Sequence, residues 1–139
     1  MLKRTETFKD FDGNERTEDF YFNLTKAELT EMQMSEVGGL EKRLKGIIQA
    51  QDGVRIMEFF KGILQKAYGV KSPDGRRFIK NEEVLNEFIE TEAYSQIFMD
   101  LVTDADKMAD FIKGVIPADL AEQVDDEMKK QGNNLMPIK

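Results

Sequence analysis

The chain has 139 residues and a formal net charge of −7, and 40% of its residues are hydrophobic while 34% are charged. This length suits a single domain with one core, and the acidic balance argues against an extended nucleic-acid contact, which requires clustered lysine and arginine. Because the sequence contains neither cysteine nor histidine, it excludes disulfides, Ser-His and Cys-His nucleophilic machinery and most zinc sites.

The first predicted element is a β-hairpin within the segment from Phe8 to Leu29. Asp12-Gly13-Asn14 tolerates the positive φ angles of a tight chain reversal. Beyond this turn, Phe20, Phe22 and Leu24 alternate with more polar residues, which is the period-2 pattern of a strand with one buried face. The segment therefore predicts two antiparallel strands, the second of which faces a core.

A helix is predicted to begin directly after the second strand. Thr25 stands three residues before Glu28, the spacing of a capping box in which each side chain binds the other residue's backbone amide. Leu24 and Leu29 occupy the flanking positions of a hydrophobic staple. These signals together predict a hairpin that runs straight into a capped helix.

The chain beyond this junction is predicted to form a succession of short helices. Apolar residues recur at helical spacing in each of them, and a residue with a short polar side chain precedes most of them. The first covers about 39–50, and the others begin at Asp52, Asn81, Thr91 and Thr103. Two alternatives remain at Thr91, which either starts a new helix or lies within the preceding one.

The helix that begins at Asp52 has a long apolar stripe. Its expected stripe consists of Val54, Met57, Phe60, Ile63, Leu64 and Ala67. Gly69 is well placed to end this helix in the left-handed conformation. A loop is predicted to follow, with Ser72-Pro73-Asp74-Gly75 as its turn.

The character of the sequence changes at Pro117, which gives the expected domain map. Residues 1–116 are predicted to form the hairpin and the helical body, 117–131 an acidic C-terminal helix, and 132–139 a flexible tail. In the acidic helix, Leu120, Val124 and Met128 form a thin apolar stripe. The predicted fold class is α+β and mostly α, with an N-terminal antiparallel β-hairpin packed on a bundle of five to seven short helices.

Several blocks of residues also carry a family resemblance. They are Glu6-Thr7-Phe8, Asp12 to Glu18, Phe20 to Leu29, Ser72 to Lys80 and Thr91 to Ser95. In this order they resemble the tail assembly chaperones of long-tailed phages and prophages of Gram-positive bacteria. The resemblance implies a non-catalytic factor without a cofactor, which binds the tape measure protein and recruits tail tube subunits during tail morphogenesis. It also implies that many members have a longer form made by programmed frameshifting.

The sequence predicts where such a factor would work. No apolar run approaches the about 20 residues that span a bilayer, and the N-terminus lacks the apolar core of a signal peptide. We expect a soluble protein in the cytoplasm of the infected or lysogenic bacterial host that is absent from the mature virion. We expect no nucleic-acid partner and no membrane partner, while self-association stays open.

The expected client contacts fall on a basic loop and on the stripe of the acidic helix. They are Arg76, Arg77, Phe78, Leu120, Val124 and Met128. A protein that holds an amphipathic client helix needs apolar grooves with an acidic rim. A solvated loop is the alternative for the basic residues, which include Lys71 and Lys80. The exposed edge of the hairpin is a further candidate, with a plain capping hairpin as its alternative.

Two other functions remain as alternatives. One is a small phage-encoded adaptor or regulatory protein that binds another protein. The other is a carboxylate-dependent metal hydrolase. Separately, Asp104, Asp106 and Asp110 could gather around a hard cation. The simpler interpretation of these aspartates is that they cap a helix and complement its dipole.

Overall fold

The computed structural model describes residues 1–34 and 49–116, with residues 42 and 46 between them. The elements in chain order are β1 (Leu2–Lys9), β2 (Glu15–Phe22), α1 (Lys26–Met34), α2 (Gly53–Ala67), β3 (Tyr68–Lys71), β4 (Phe78–Ile79), α3 (Glu82–Ile89), α4 (Glu92–Val102) and α5 (Ala105–Val115). The predicted α+β, mostly α class is confirmed. The expected helix over about 39–50 lies largely outside the described residues, and the segments 117–131 and 132–139 lie entirely outside them.

The four strands form one antiparallel sheet in the order β1-β2-β3-β4. β1 pairs with β2 along its whole length, from Leu2 opposite Phe22 to Lys9 opposite Glu15. The turn between these strands has Gly13 at a φ of 84°, a conformation that favours glycine. The predicted N-terminal hairpin is therefore confirmed.

The hairpin of β3 and β4 replaces the loop predicted after α2. The helix ends at Ala67, Tyr68 begins β3 directly, and Gly69 pairs with Tyr21 of β2. The prediction that Gly69 ends the helix in the left-handed conformation is therefore wrong. The residue with positive φ in this region is Gly75, at 74°. The physical reason is that the free edge of β2 offers backbone partners to the chain that leaves α2.

The junction between the first hairpin and α1 has the predicted capping box. The Thr25 amide donates to Oε1 of Glu28 at 2.9 Å, and the Glu28 amide donates to Oγ1 of Thr25 at 3.1 Å. Leu24 and Leu29 are both buried in the core. The reciprocal hydrogen bonds satisfy two amides that would otherwise lack a partner, and they fix the start of α1.

The two residues that follow β2 hold the ends of two helices. The Asn23 amide donates to the carbonyl of Ala67, the last residue of α2, at 2.8 Å, and the Leu24 amide donates to the carbonyl of Val115, the last residue of α5, at 2.8 Å. Carbonyls in the last turn of a helix have no partner within that helix. The link between β2 and α1 therefore joins the hairpin to the helical body.

Three of the four predicted helix caps are confirmed. Asp52, Asn81 and Thr91 each accept a hydrogen bond from the amide of the third residue of the following helix. Thr91 therefore starts a new helix, which decides between the two alternatives.

The fourth cap lies one residue later than predicted. Asp104, not Thr103, accepts the amides of Asp106 and Lys107 at the start of α5. Thr103 instead ends α4, and its hydroxyl donates to the Met99 carbonyl at 2.7 Å. The reason is that this backward hydrogen bond commits Thr103 to the preceding helix.

The core lies between one face of the first hairpin and the helices. The Phe22 side chain is fully buried, and its ring centroid lies 5.8 Å from those of Tyr68 and Phe88 and 5.2 Å from that of Phe111. In α2 the buried stripe begins at Ile56, whereas Val54 is 68% exposed. Val54 was expected in the stripe, but the 3.6-residue period turns it away from the buried residues of this helix.

Candidate functional site

Half of the predicted client contacts lie in the hairpin of β3 and β4. Arg76 and Arg77 are exposed in its turn, and Phe78 is the first residue of β4 and is half-buried. The other predicted contacts lie outside the described residues: Leu120, Val124 and Met128. The structure therefore brings together two arginines and one aromatic ring at an accessible turn.

The turn is built by its own short polar side chains. The Ser72 hydroxyl donates to Oδ1 of Asp74 at 2.7 Å and accepts the Arg77 amide at 3.0 Å. Hydrogen bonds from Ser72 and from the Arg76 amide hold the pKa of Asp74 below its usual value. In the described part of the chain, no carboxylate forms an ion pair with either Arg76 or Arg77. The two guanidinium groups are consequently available to a partner.

Phe78 is positioned by the absence of a side chain at Gly69. A Cβ atom at position 69 would lie 2.6 Å from the ring of Phe78. This distance is far below van der Waals contact, so the ring occupies the space above the glycine backbone. Gly69 thus makes room for the Phe78 ring, and this role depends on the packing of that ring in the folded chain.

Replacing Gly69 with alanine is expected to lower the free energy of unfolding by about 1–3 kcal/mol, because the new methyl group collides with the Phe78 ring. In a Phe78→Ala background the same change is expected to be neutral or stabilising. Gly62→Ala is the matched control, since nothing lies within 4 Å of a Cβ atom there, and it should stabilise by about 0.5–1 kcal/mol. Urea unfolding of the variants measures these values, and an equal loss in both Phe78 backgrounds would contradict the proposed collision.

The outer side of the sheet carries a group of basic and aromatic residues. Tyr21 pairs with Lys3 on one side and with Gly69 on the other, and Lys71 pairs with Phe78. Directly paired residues share a face, and so do residues two apart in a strand. The Lys71 ammonium lies 4.4 Å from the centroid of the Tyr21 ring, within cation–π distance. We call the surface formed by Lys3, Tyr21, Lys71 and Phe78 the lysine–aromatic face.

Lys80 is a structural residue, unlike the other basic residues near this turn. Its ammonium donates to the Asn23 carbonyl and to Oε2 of Glu28, both at 2.7 Å. Burial raises the pKa of the Glu28 carboxyl, but hydrogen bonds from Lys80 and from the Thr25 amide outweigh this effect and the pKa is lowered overall. Glu28 therefore remains charged at neutral pH and holds Lys80 against the start of α1.

The comparison with known families decides the identity of the chain. The family model described as phage tail assembly chaperone matches residues 1–137, nearly the whole sequence. The chain belongs to the phage tail assembly chaperone family. No curated protein and no solved structure matched the chain. The match confirms the resemblance, and it gives this chaperone a role in tail assembly with protein partners in that process.

The acidic side chains of the chaperone bear on the metal-hydrolase alternative, and its helices bear on whether it could cross a membrane. Within residues 1–34 and 49–116, no group of three or more acidic side chains is placed to hold a metal ion. Asp104 caps α5, and Asp110 lies 3.5 Å from the Lys113 ammonium. No helix in the same ranges is long and apolar enough to cross a membrane.

The outer edge of β1 in the chaperone is partly covered by α4. The Gln96 amide donates to the Thr7 carbonyl at 3.1 Å and to Oε1 of Glu6 at 2.8 Å. Arg4 donates to Glu6 and to Asp100, each at 2.9 Å. The bond from Gln96 occupies one backbone carbonyl that an added strand would need, and the side chains of α4 lie against the same edge, so these contacts favour the capping hairpin over a partner-binding edge. Sequence reasoning missed them because the partners lie far apart in the chain.

Proposed function

We propose that this tail assembly chaperone binds the tape measure protein and recruits tail tube subunits during tail morphogenesis. The observation that carries the proposal is the family match over residues 1–137. The chaperone would act by binding alone, without a cofactor and without nucleic acid. Its place of action would be the cytoplasm of the bacterial host, and it would be absent from the finished virion.

We infer that the client contacts include the turn residues Arg76 and Arg77 together with the aromatic ring of Phe78. The guanidinium groups are exposed and unpaired among the described residues, so they can pair with acidic residues of a client helix. Phe78 would contact the apolar side of the same helix. The stripe Leu120, Val124 and Met128 would supply the remaining apolar contacts.

Co-expression with the tape measure protein tests this proposal. The chaperone should co-purify with the tape measure protein and keep it in the soluble fraction. Arg76→Glu/Arg77→Glu should weaken binding about tenfold or more, which corresponds to about 1.4 kcal/mol. The two introduced glutamates would repel the acidic residues of the client helix.

The matched control is Lys61→Glu/Lys66→Glu, which makes the same charge change on exposed positions of α2. This variant should bind the tape measure protein with an affinity within about twofold of that of the native chaperone, because exposed charges outside a contact contribute little to affinity. Equal weakening by both double variants would show that total charge, rather than the turn, governs binding. Failure of the native chaperone to co-purify with the tape measure protein would overturn the proposed function itself.

A further inference from the structure

The lysine–aromatic face lies on the side of the sheet that the described helices leave open. In β1, Lys3, Thr5 and Thr7 are exposed, whereas the alternate residues Glu6 and Phe8 are buried. Successive side chains of a strand point to opposite faces of the sheet. The core therefore lies on one face, and in residues 1–34 and 49–116 the other face is accessible to a partner.

This face is positive on a chain whose net charge is −7. Lys3 and Lys71 are exposed, and among the described residues neither forms an ion pair with a carboxylate. Asp19 lies on the same face, two residues from Tyr21, but its carboxylate accepts a hydrogen bond from the Thr5 hydroxyl at 2.6 Å. The two ammonium groups are therefore available to carboxylates of another molecule.

Aromatic rings supply the apolar part of the face. Tyr21 pairs directly with Lys3, and the Lys71 ammonium lies 4.4 Å from the centroid of its ring, so this ring has a lysine on either side. The Phe78 ring fills the space over Gly69, which pairs with Tyr21. Both rings are half-buried, so part of each faces solvent. The face therefore offers apolar surface between positive charges.

The lysine–aromatic face continues into the turn of the second hairpin. Phe78 pairs with Lys71 and directly follows Arg77 in the chain. Arg76 and Arg77 are exposed and, like the two lysines, have no carboxylate partner in the part of the chain that the structure describes. The face and the turn can consequently contact the same partner.

The charges and the rings together select the chemistry of that partner. An apolar side chain with a carboxylate on either side matches a ring with a lysine on either side, because the rings gain from burial and the ammonium groups from charge-assisted hydrogen bonds. Single-stranded nucleic acid also combines anions with stacking surfaces. A chain with a net charge of −7 repels an extended polyanion, however, whereas a short acidic segment carries few charges beyond those that it pairs.

We propose that the lysine–aromatic face binds an acidic segment of a partner protein in which carboxylates flank an apolar side chain. The carboxylates pair with Lys3 and Lys71, and the apolar side chain covers the rings of Tyr21 and Phe78. In tail assembly this segment belongs to the client that also contacts the turn, an assignment that rests on the proposed function. The affinity of the face for such a segment is a property of the chaperone alone.

An NMR titration of the isotope-labelled full-length chaperone tests the proposal. The probe is the synthetic peptide Glu-Glu-Leu-Phe-Glu-Glu with both ends capped. The amide signals of Tyr21, Gly69 and Lys71 should shift in a saturable manner, whereas those of Gly13 and Asn14, at the opposite end of the first hairpin, should stay in place. The same peptide with lysine at every glutamate position should cause no shift. Absence of a saturable shift with the acidic peptide would overturn the proposal.

Charge reversal provides the matched control for this titration. Lys3→Glu/Lys71→Glu should weaken binding of the acidic peptide about tenfold or more, because both pairing cations become anions. Lys9→Glu/Lys61→Glu makes the same charge change at exposed positions away from the face, and it should leave the affinity within about twofold of the native value. Equal weakening by both double variants would show that net charge governs binding, which contradicts a defined site.

The contribution of the rings is tested from both sides of the contact. Tyr21→Thr removes a ring and keeps a residue suited to a strand, and it should weaken binding of the acidic peptide about threefold or more. A peptide with glycine in place of the leucine and the phenylalanine should bind the native chaperone more weakly by a similar factor. If neither change alters the affinity, the face recognises charge alone and the proposed segment is wrong.

Two further measurements assign the face to other occupants if the proposal fails. A short single-stranded oligothymidylate that shifts the same signals at lower concentration than the peptide would assign the face to nucleic acid. Shifts of Tyr21 and Lys71 on dilution of the free chaperone would assign it to a second copy. Either result would overturn the proposal. Because these samples contain no tape measure protein, their outcome is independent of the co-purification experiment.

Discussion

Replacing Phe22 with alanine is expected to lower the free energy of unfolding by about 3–5 kcal/mol. The side chain is fully buried, and its ring contacts the rings of Tyr68, Phe88 and Phe111. These three partners belong to β3, α3 and α5, so one cavity would loosen the contact between the sheet and two helices. Urea unfolding followed by circular dichroism measures the loss.

The matched control for this change is Phe11→Ala. Phe11 lies in the turn of the first hairpin and is 77% exposed, so its truncation should change stability by no more than about 0.5 kcal/mol. Because Phe22→Ala risks preventing folding altogether, Phe22→Leu provides a milder test with an expected loss of about 1–2 kcal/mol. A loss at Phe22 no larger than that at Phe11 would contradict the described packing of the hairpin on the helices.

Replacing Arg4 with methionine should have the next largest effect, a loss of about 2–4 kcal/mol. Arg4 bridges Glu6 and Asp100, at 2.9 Å to each. The Glu6 side chain is only 9% exposed, so removing the guanidinium leaves a buried charge with Gln96 as its remaining side-chain partner. The free energy of unfolding is again the quantity measured.

A second replacement distinguishes the cost of leaving the buried Glu6 carboxylate without its ion-pair partner from a simple loss of packing. Arg4→Met/Glu6→Leu should recover most of the loss, because exchanging both partners of this largely buried ion pair for apolar groups of similar size is close to neutral. Arg16→Met is the control. The Arg16 side chain is 55% exposed, so its ion pair with Asp10 is screened by solvent and its loss should change stability far less than the loss of Arg4. A double variant as unstable as Arg4→Met would show that packing, rather than charge, dominates.

The N-terminal part of the fold could be predicted because its signals are local. The turn around Gly13 and the capping box of Thr25 and Glu28 are set by residues at most a few positions apart. The family resemblance also rested on these blocks. Helix caps at Asp52 and Asn81 follow from the same short-range chemistry.

The second hairpin could not be predicted because its strands are too short to show a pattern. β3 has four residues and β4 has two, so neither displays a period that separates a strand from a loop. The role of Gly69 depends on the ring of Phe78 and on an unpaired edge of β2, and both are properties of the folded chain. The shift from Thr103 to Asp104 arises because two adjacent residues can each cap a helix.

The sequence predicted the turn of the candidate site, but it did not predict which residues the side chains around that turn contact. Ser72-Pro73-Asp74-Gly75 correctly indicated a turn that exposes Arg76 and Arg77. In contrast, the side chain of Lys80 binds Glu28, and Tyr21 lies beside Lys71. These pairs join elements that come together only in the tertiary structure, and no local spacing encodes them.

The hydrogen bonds that Asn23 and Leu24 make with Ala67 and Val115 have a consequence for synthesis on the ribosome. The hairpin emerges first, yet the carbonyl that Leu24 requires is translated only after nearly all of the helical body. The nascent chain therefore cannot complete the hydrogen bond of Leu24, or the contact between the rings of Phe22 and Phe111, until α5 has left the exit tunnel. Completion of the core around Phe22 is therefore a late event of synthesis, after both the hairpin and the intervening helices have been made.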